Sequence, residues 1–178
     1  VSELRKGGEV IGASEDTLTW SEELPTQTKP IEEVPLNPNL KYEIKDDEVT
    51  ITGCDKKASG TIIIPATIEG KTVTSIGEEA LVICTNLKSI IIPDSVTSIG
   101  KSAFMHCSNL TSITFGKNSK LTSIGNHAFS DCTSLTSITI PDSVTRIKWD
   151  IFRDCTSLTS IIFKGNAPTL SGDLFTEV

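Results

Sequence analysis

The sequence predicts a solenoid of four to five stacked coils of 23–25 residues. It should carry a parallel β-sheet on a concave face and short helical or 3-10 turns on a convex one. Three observations predict this. Cys84, Cys107, Cys132 and Cys155 recur 23, 25 and 23 residues apart, each opening a similar stretch of chain. Every period contains one short alternating segment, such as Ile138-Thr139-Ile140. Between strand and cysteine, Ile-Gly-x-x-Ala-Phe-x-x-Cys spaces its apolar residues at i, i+4, i+5 and i+8, the spacing of a turn or two of helix. A period of roughly 20–30 residues with one strand signal per period marks a repeat architecture.

Residues 1–40 stand apart. They carry eight acidic and three basic groups, a net −5, whereas residues 61–178 carry ten and nine, a net −1. "PTQTKPIEEVPLNPNL" is acidic and Pro-rich and reads as an extended arm or linker. "SELRKGGEVIG" and "TLTWSEEL" hold short apolar patterns that either dock on the solenoid or belong to a preceding domain. With no initiator Met and no signal-peptide pattern, the chain is expected to be a processed product or an excised fragment.

The coils follow as registered columns over residues 61–178. Leu87, Leu110, Leu135 and Leu158 lie three residues after each cysteine, then Ile90, Ile113, Ile138 and Ile161, then Ile92, Phe115, Ile140 and Phe163. The second half of each coil carries Val96, Leu121 and Val144, then Ile99, Ile124 and Ile147, then the pairs Ala103-Phe104, Ala128-Phe129 and Ile151-Phe152. An earlier copy runs from Thr61 to Cys84 with Leu81 in the Phe position. Pro65, Pro93 and Pro141 follow the strands, and a residue without an N–H ends a ladder there. One coil alone cannot offset the ordering entropy of its backbone, about 1–2 kcal/mol per residue, so stability must come from stacking. The last copy, "IIFKGNAPTLSGDLFTEV", matches only to the position of Cys155. A break inside a fifth coil is expected there, with the half-coil folding back as a cap in preference to pairing with another molecule through an open apolar end.

"LTSITIPDSVT", "SIGKSAF" and the cysteine that follows resemble the BspA-like, or Treponema-type, bacterial leucine-rich repeats, LxxLxLPxxLxxIGxxAFxxC. The resemblance covers about residues 60–175. It implies a leucine-rich-repeat solenoid, and it makes residues 41–60, with "KYEIKDDEVTITGC", a two-strand N-terminal β cap. It further implies a secreted or cell-surface protein that adheres to host proteins or neighbouring cells. Two departures stand out. The third coil has "GKNSK" in place of "PDS", two residues longer, and the fourth puts Lys148 at the Gly and Ile151 at the Ala.

The totals exclude other classes. No apolar run approaches the roughly 18–20 residues of a membrane helix, so no membrane insertion is expected. An acidic arm on a near-neutral body repels phosphate backbones, and 5% aromatics leaves few stacking platforms, so nucleic acid is not an expected partner. The four column cysteines point inward in parallel, whereas a disulfide needs converging side chains, so they are expected to be buried free thiols. Cys54, outside the column, is read as free too. His106-Cys107 could suggest a nucleophile pair, yet the Cys belongs to the core column. Asp94, Lys117 and Asp142 share a column and could imitate a spaced carboxylate pair; an opposite-charge ladder across the coils is the simpler reading. No catalytic residue, metal or cofactor is expected.

Strand alternation leaves one outward strip. Its columns are Thr61, Ser89, Ser112, Ser137 and Ser160, and Ile63, Ile91, Thr114, Thr139 and Ile162. Nearly uncharged and made of small side chains, it suits close approach by a protein ligand, although Ser and Thr are also good strand formers. Trp149 falls on the convex side, either as a contact residue or lying over its neighbours. The expected function is a non-catalytic extracellular protein-binding module of adhesin type, monomeric, meeting a host or neighbouring-cell protein or a partner module. The alternative is an attachment domain of a larger secreted enzyme or surface assembly.

Overall fold

The computed structural model describes residues 35–175 and, at the N-terminus, the backbone of two short strands. These strands, β1 (Arg5–Lys6) and β2 (Glu9–Val10), pair antiparallel. The remainder of the expected arm up to residue 34, with Trp20, lies outside the described residues. Residues 33–178 form a separate unit.

That unit begins with a hairpin of β3 (Leu40–Lys45) and β4 (Glu48–Cys54). Its two-residue turn, Asp46-Asp47, has φ of 50° and 65°. Both central residues at positive φ give the turn whose twist matches the strands, and Asp tolerates that region. β5 (Gly60–Ile63), β6 (Thr67–Ile68) and β7 (Lys71–Ile76) follow. Each later coil supplies one longer and one two-residue strand: β8 (Leu87–Ile92) and β9 (Ser98–Ile99), β10 (Ser112–Phe115) and β11 (Ser123–Ile124), β12 (Ser137–Ile140) and β13 (Arg146–Ile147), β14 (Ser160–Phe163) and β15 (Thr169–Leu170).

The chain is therefore a parallel-sheet solenoid of stacked coils, as the columns require. Strands line two of its faces where the sequence showed one. The ladder β7–β9–β11–β13–β15 stacks Ile76, Ile99, Ile124, Ile147 and Leu170 in register, and the hairpin joins it through β4. On the strand face, β5–β8–β10 and β12–β14 are parallel, but β10 and β12 are not paired. The expected continuous sheet is thus two sheets that part between the third and fourth coils. Two features of sequence sit at the parting: the two extra residues of the third coil, and Pro141, which has no N–H to offer the preceding strand.

The expected helical or 3-10 turns are absent among the described residues. The apolar spacing is kept, but each such segment holds two residues at positive φ: Glu79 and Ile83, Ser102 and His106, His127 and Asp131, Asp150 and Asp154. Alternate N–H groups then turn outward to the next coil, as in Glu79 to Lys101 O (2.9 Å), Leu81 to Ala103 O (2.7 Å) and Ile83 to Met105 O (2.9 Å). The groups between them close local turns, as Val82 does to Glu79 O at 3.1 Å. A helix would satisfy its N–H groups internally; here stacking uses half of them between coils.

The core is one continuous cluster built from the predicted columns, with Phe104, Phe129 and Phe152 fully buried. Gly116 explains the third coil's departure. A Cβ there would overlap the Asp94 carboxylate, whose Oδ1 accepts the Asn118 N–H at 2.9 Å. Asp94 thus caps the longer loop. The expected charge ladder through Lys117 does not form, since Lys117 is in none of the ion pairs among the described residues.

The final half-coil does not fold back. β15 extends the second ladder, the Phe152 N–H donates to Leu174 O at 3.1 Å, and the Phe175 ring lies 6.1 Å from that of Phe152. Leu170 and Phe175 remain 47% and 48% exposed, so this half-coil covers more than it buries of itself. Deleting residues 168–178 should therefore lower the melting temperature by a few degrees and promote self-association, because Ile147, Ile151 and Phe152 lose their cover. Calorimetry and light scattering test this; a truncated chain equally stable and monomeric would refute it.

Candidate functional site

The strand face is built by alternation. Ile62, Ile90, Ile113 and Ile138 point into the core, which turns their sequence neighbours outward. Register then aligns the outward residues: Thr61 with Ser89 and Ser112, Ile63 with Ile91 and Thr114, Ser137 with Ser160, and Thr139 with Ile162. The Thr61 and Ser89 hydroxyls hydrogen bond at 2.6 Å. Ile63, Ile91 and Ile162 are large apolar side chains left exposed, by 38, 38 and 53%. An exposed Ile on successive coils is more than a strand former requires, since Thr serves that purpose at Thr114 and Thr139.

The parting of the sheets falls in the middle of this strip. Between β10 and β12 lies a cleft of about 310 Å³, lined by Ser112, Thr114, Ser137 and Thr139 with Lys117, Asp142 and Lys164 among its charged residues. Sequence reasoning found the four small residues but missed the cleft and Lys164. Its only signal was the third coil, two residues longer than its neighbours. Trp149 belongs elsewhere. It follows β13 on the other ladder, 42% exposed, with its ring edge-on to His127 at 4.5 Å. The structure therefore does not join Trp149 to the strip, and shows it lying over a neighbour.

The cysteines form a file along the solenoid and are free thiols. The Cys107, Cys132 and Cys155 S–H groups donate to the carbonyls of Leu81, Phe104 and Phe129 in the preceding coil, at 3.1, 3.3 and 3.0 Å. Burial pushes Cys107 up to about 12 and Cys155 up to about 11, and Cys132 well above the usual thiol range. Thiols held protonated in this way are poor nucleophiles. His106 instead faces Asp131 at 3.6 Å. Among the described residues, no three His, Cys, Asp or Glu side chains gather as a metal site would.

Residues 59–178 match the model of the BspA type leucine rich repeat region in six copies. The chain belongs to this family. Its BspA-type repeats are similar in structure to a leucine-rich repeat protein from Bacteroides capillosus, with 33% identity and a TM-score of 0.63 over 71% of this chain and 95% of that one. They are also similar to a leucine rich cell surface protein from Faecalibacterium prausnitzii, at 27% identity and TM-score 0.56, spanning 72% of this chain and 42% of that one. The pneumococcal vaccine antigen PcpA shares the fold at 24% identity and TM-score 0.59, over 76% of this chain and 39% of the antigen. No curated protein matches. BspA-type repeats, like leucine-rich repeats generally, are protein-binding modules. No described helix is long and apolar enough to cross a membrane.

Proposed function

We propose that the chain is a non-catalytic, extracellular protein-binding module of adhesin or surface-protein type, and that the strand face is its contact surface. The observation that carries this is the registered strip of exposed Ile63, Ile91 and Ile162 among Ser and Thr. On either side of the cleft this strip of Ser, Thr and Ile carries no charge of its own, so a protein lying on it excludes water at little cost, and repeat proteins bind through extended faces of this kind. The cell-surface relative from Faecalibacterium supports an extracellular setting. That relative is more than twice the length of the matched region, which equally favours a second reading: an attachment module of a larger secreted or surface protein.

The test is capture of surface proteins from intact host epithelial cells and neighbouring bacteria, with the strip intact or carrying Thr114→Arg and Thr139→Arg together. Two guanidinium groups flanking the central cleft should reduce recovery at least about tenfold, equivalent to about 1.4 kcal/mol, with an unchanged melting temperature. Undiminished capture of every partner would remove the strip from consideration.

A further inference from the structure

The strand face opens where its ladder should continue. Thr111 donates both its N–H and its hydroxyl to Lys88 O, at 2.9 and 3.0 Å, and Thr159 donates both to Thr136 O, at 2.9 and 3.1 Å. The rung between these two, from Thr136 to Thr111 O, is missing. On the other ladder the same coils stay joined, with the Thr145 N–H donating to Thr122 O at 3.0 Å. The opening is therefore local, and it reaches the core. Ile113 is less completely buried than Ile62, Ile90 and Ile138, and Phe115 is half-buried where Ile92 and Ile140 of its column are buried. These apolar groups floor the cleft, and the exposed Lys117, Asp142 and Lys164 stand at its rim. Neither lysine takes part in any ion pair among the described residues.

We propose that this cleft receives one acidic side chain of the protein partner, a glutamate, at the centre of the contact. This rests on the strand face being the contact surface. The two ends of a glutamate match the two parts of the cleft. Its aliphatic stem lies on Ile113 and Phe115, and its carboxylate meets the Lys117 and Lys164 ammonium groups, in charge-assisted bonds stronger than neutral ones. The charge also fits. Two lysines against Asp142 leave a net +1 at the rim of a chain whose net charge is −7, so a single carboxylate neutralises the site and a dianion overshoots it. A volume of about 310 Å³ lies at the small end for ligand pockets, which suits one side chain and not a folded element. Ile91 and Ile162, on the strands either side, then pack against the partner's apolar neighbours and keep water from the ion pairs. The glutamate therefore sets position and specificity on a surface that otherwise carries no charge.

Nuclear magnetic resonance of the folded chain tests this with two probes, the peptide acetyl-Thr-Val-Glu-Val-Thr-amide and its Gln counterpart. The Glu peptide, at millimolar concentration, should shift the backbone amides of Ser112, Thr114, Lys117, Thr139 and Lys164. The Gln peptide and sodium acetate should each bind at least about tenfold more weakly, the first lacking the charge and the second the stem. Lys117→Gln with Lys164→Gln, at an unchanged melting temperature, should remove the preference for Glu over Gln. Equal affinity for the two peptides, acetate binding as tightly as the Glu peptide, shifts confined to other coils, or no shift at all would each overturn the proposal. Such a failure is distinct from failure of the strand face itself, which capture by the Thr114→Arg and Thr139→Arg variant reports.

Discussion

Phe129→Ala should lower the unfolding free energy by about 3–5 kcal/mol, the range for emptying a fully buried aromatic position. Phe129 has no solvent exposure and sits midway in a file of rings. Its centroid is 5.4 Å from Phe104 and 5.8 Å from Phe152, with interplanar angles of 18° and 15°. The vacated space cannot be filled from the side, because the flanking segments are pinned by Phe104 N–H to Ala128 O at 2.8 Å and Phe129 N–H to Ile151 O at 3.0 Å. A solenoid adds a consequence that a globular core would not. Each coil contacts only its neighbours, so a defect in a middle coil weakens the coupling between the two ends. Urea unfolding should show a lower midpoint and a broader transition, and Phe129→Leu should retain most of the stability. A loss under about 1.5 kcal/mol would mean that the ring file is not the spine of the core.

The columns were legible in the sequence because stacking demands identity: a residue that touches its own copy one coil away must repeat in type and spacing. Every apolar column from Leu87 to Phe152 lies in the core for that reason. The convex turns were misread because apolar spacing does not distinguish a helix from a chain that alternates into the left-handed region. Ser102, His106, His127, Asp131, Asp150 and Asp154 are residues that accept such φ more or less readily, but they read equally well as ordinary polar surface. Ile83, at φ 60°, is β-branched and no residue preference would have placed it there. The strip residues could be picked out by alternation alone, since period 2 fixes the face once the inward column is known. The cleft between β10 and β12 could not. It depends on how far two coils part, which the two extra residues after β10 and a missing N–H at Pro141 leave open.

Gly100→Val should cost about 2–3 kcal/mol, near the upper end of what overpacking a tight contact usually costs. The reason is space, not conformation. A Cβ at Gly100 would stand 2.6 Å from both the Gly77 carbonyl carbon and the Glu78 nitrogen, atoms of the previous coil's backbone that cannot swing aside. The coils would have to separate, and the bonds from Gly100 N–H to Ile76 O at 2.8 Å and from Glu79 N–H to Lys101 O at 2.9 Å would stretch. The fourth coil shows this response already, because Lys148 occupies the corresponding position over Gly125. There the Lys148 N–H to Ile124 O bond is 3.1 Å, against 2.9 Å for Gly125 to Ile99, and the His127 N–H to Trp149 O bond is 3.3 Å, against 2.8 Å for Ser102 to Asn126. A side chain at this column therefore loosens the stack without dissolving it, which sets the cost at a few kcal/mol and not at unfolding. Part of it is offset by the stiffer unfolded chain that Val brings, about 1 kcal/mol or less. Hydrogen exchange should locate the loss, with faster exchange at Glu79 and Gly100 and little change at Phe152. Unaltered stability would show that these coils are not held together at the glycine column.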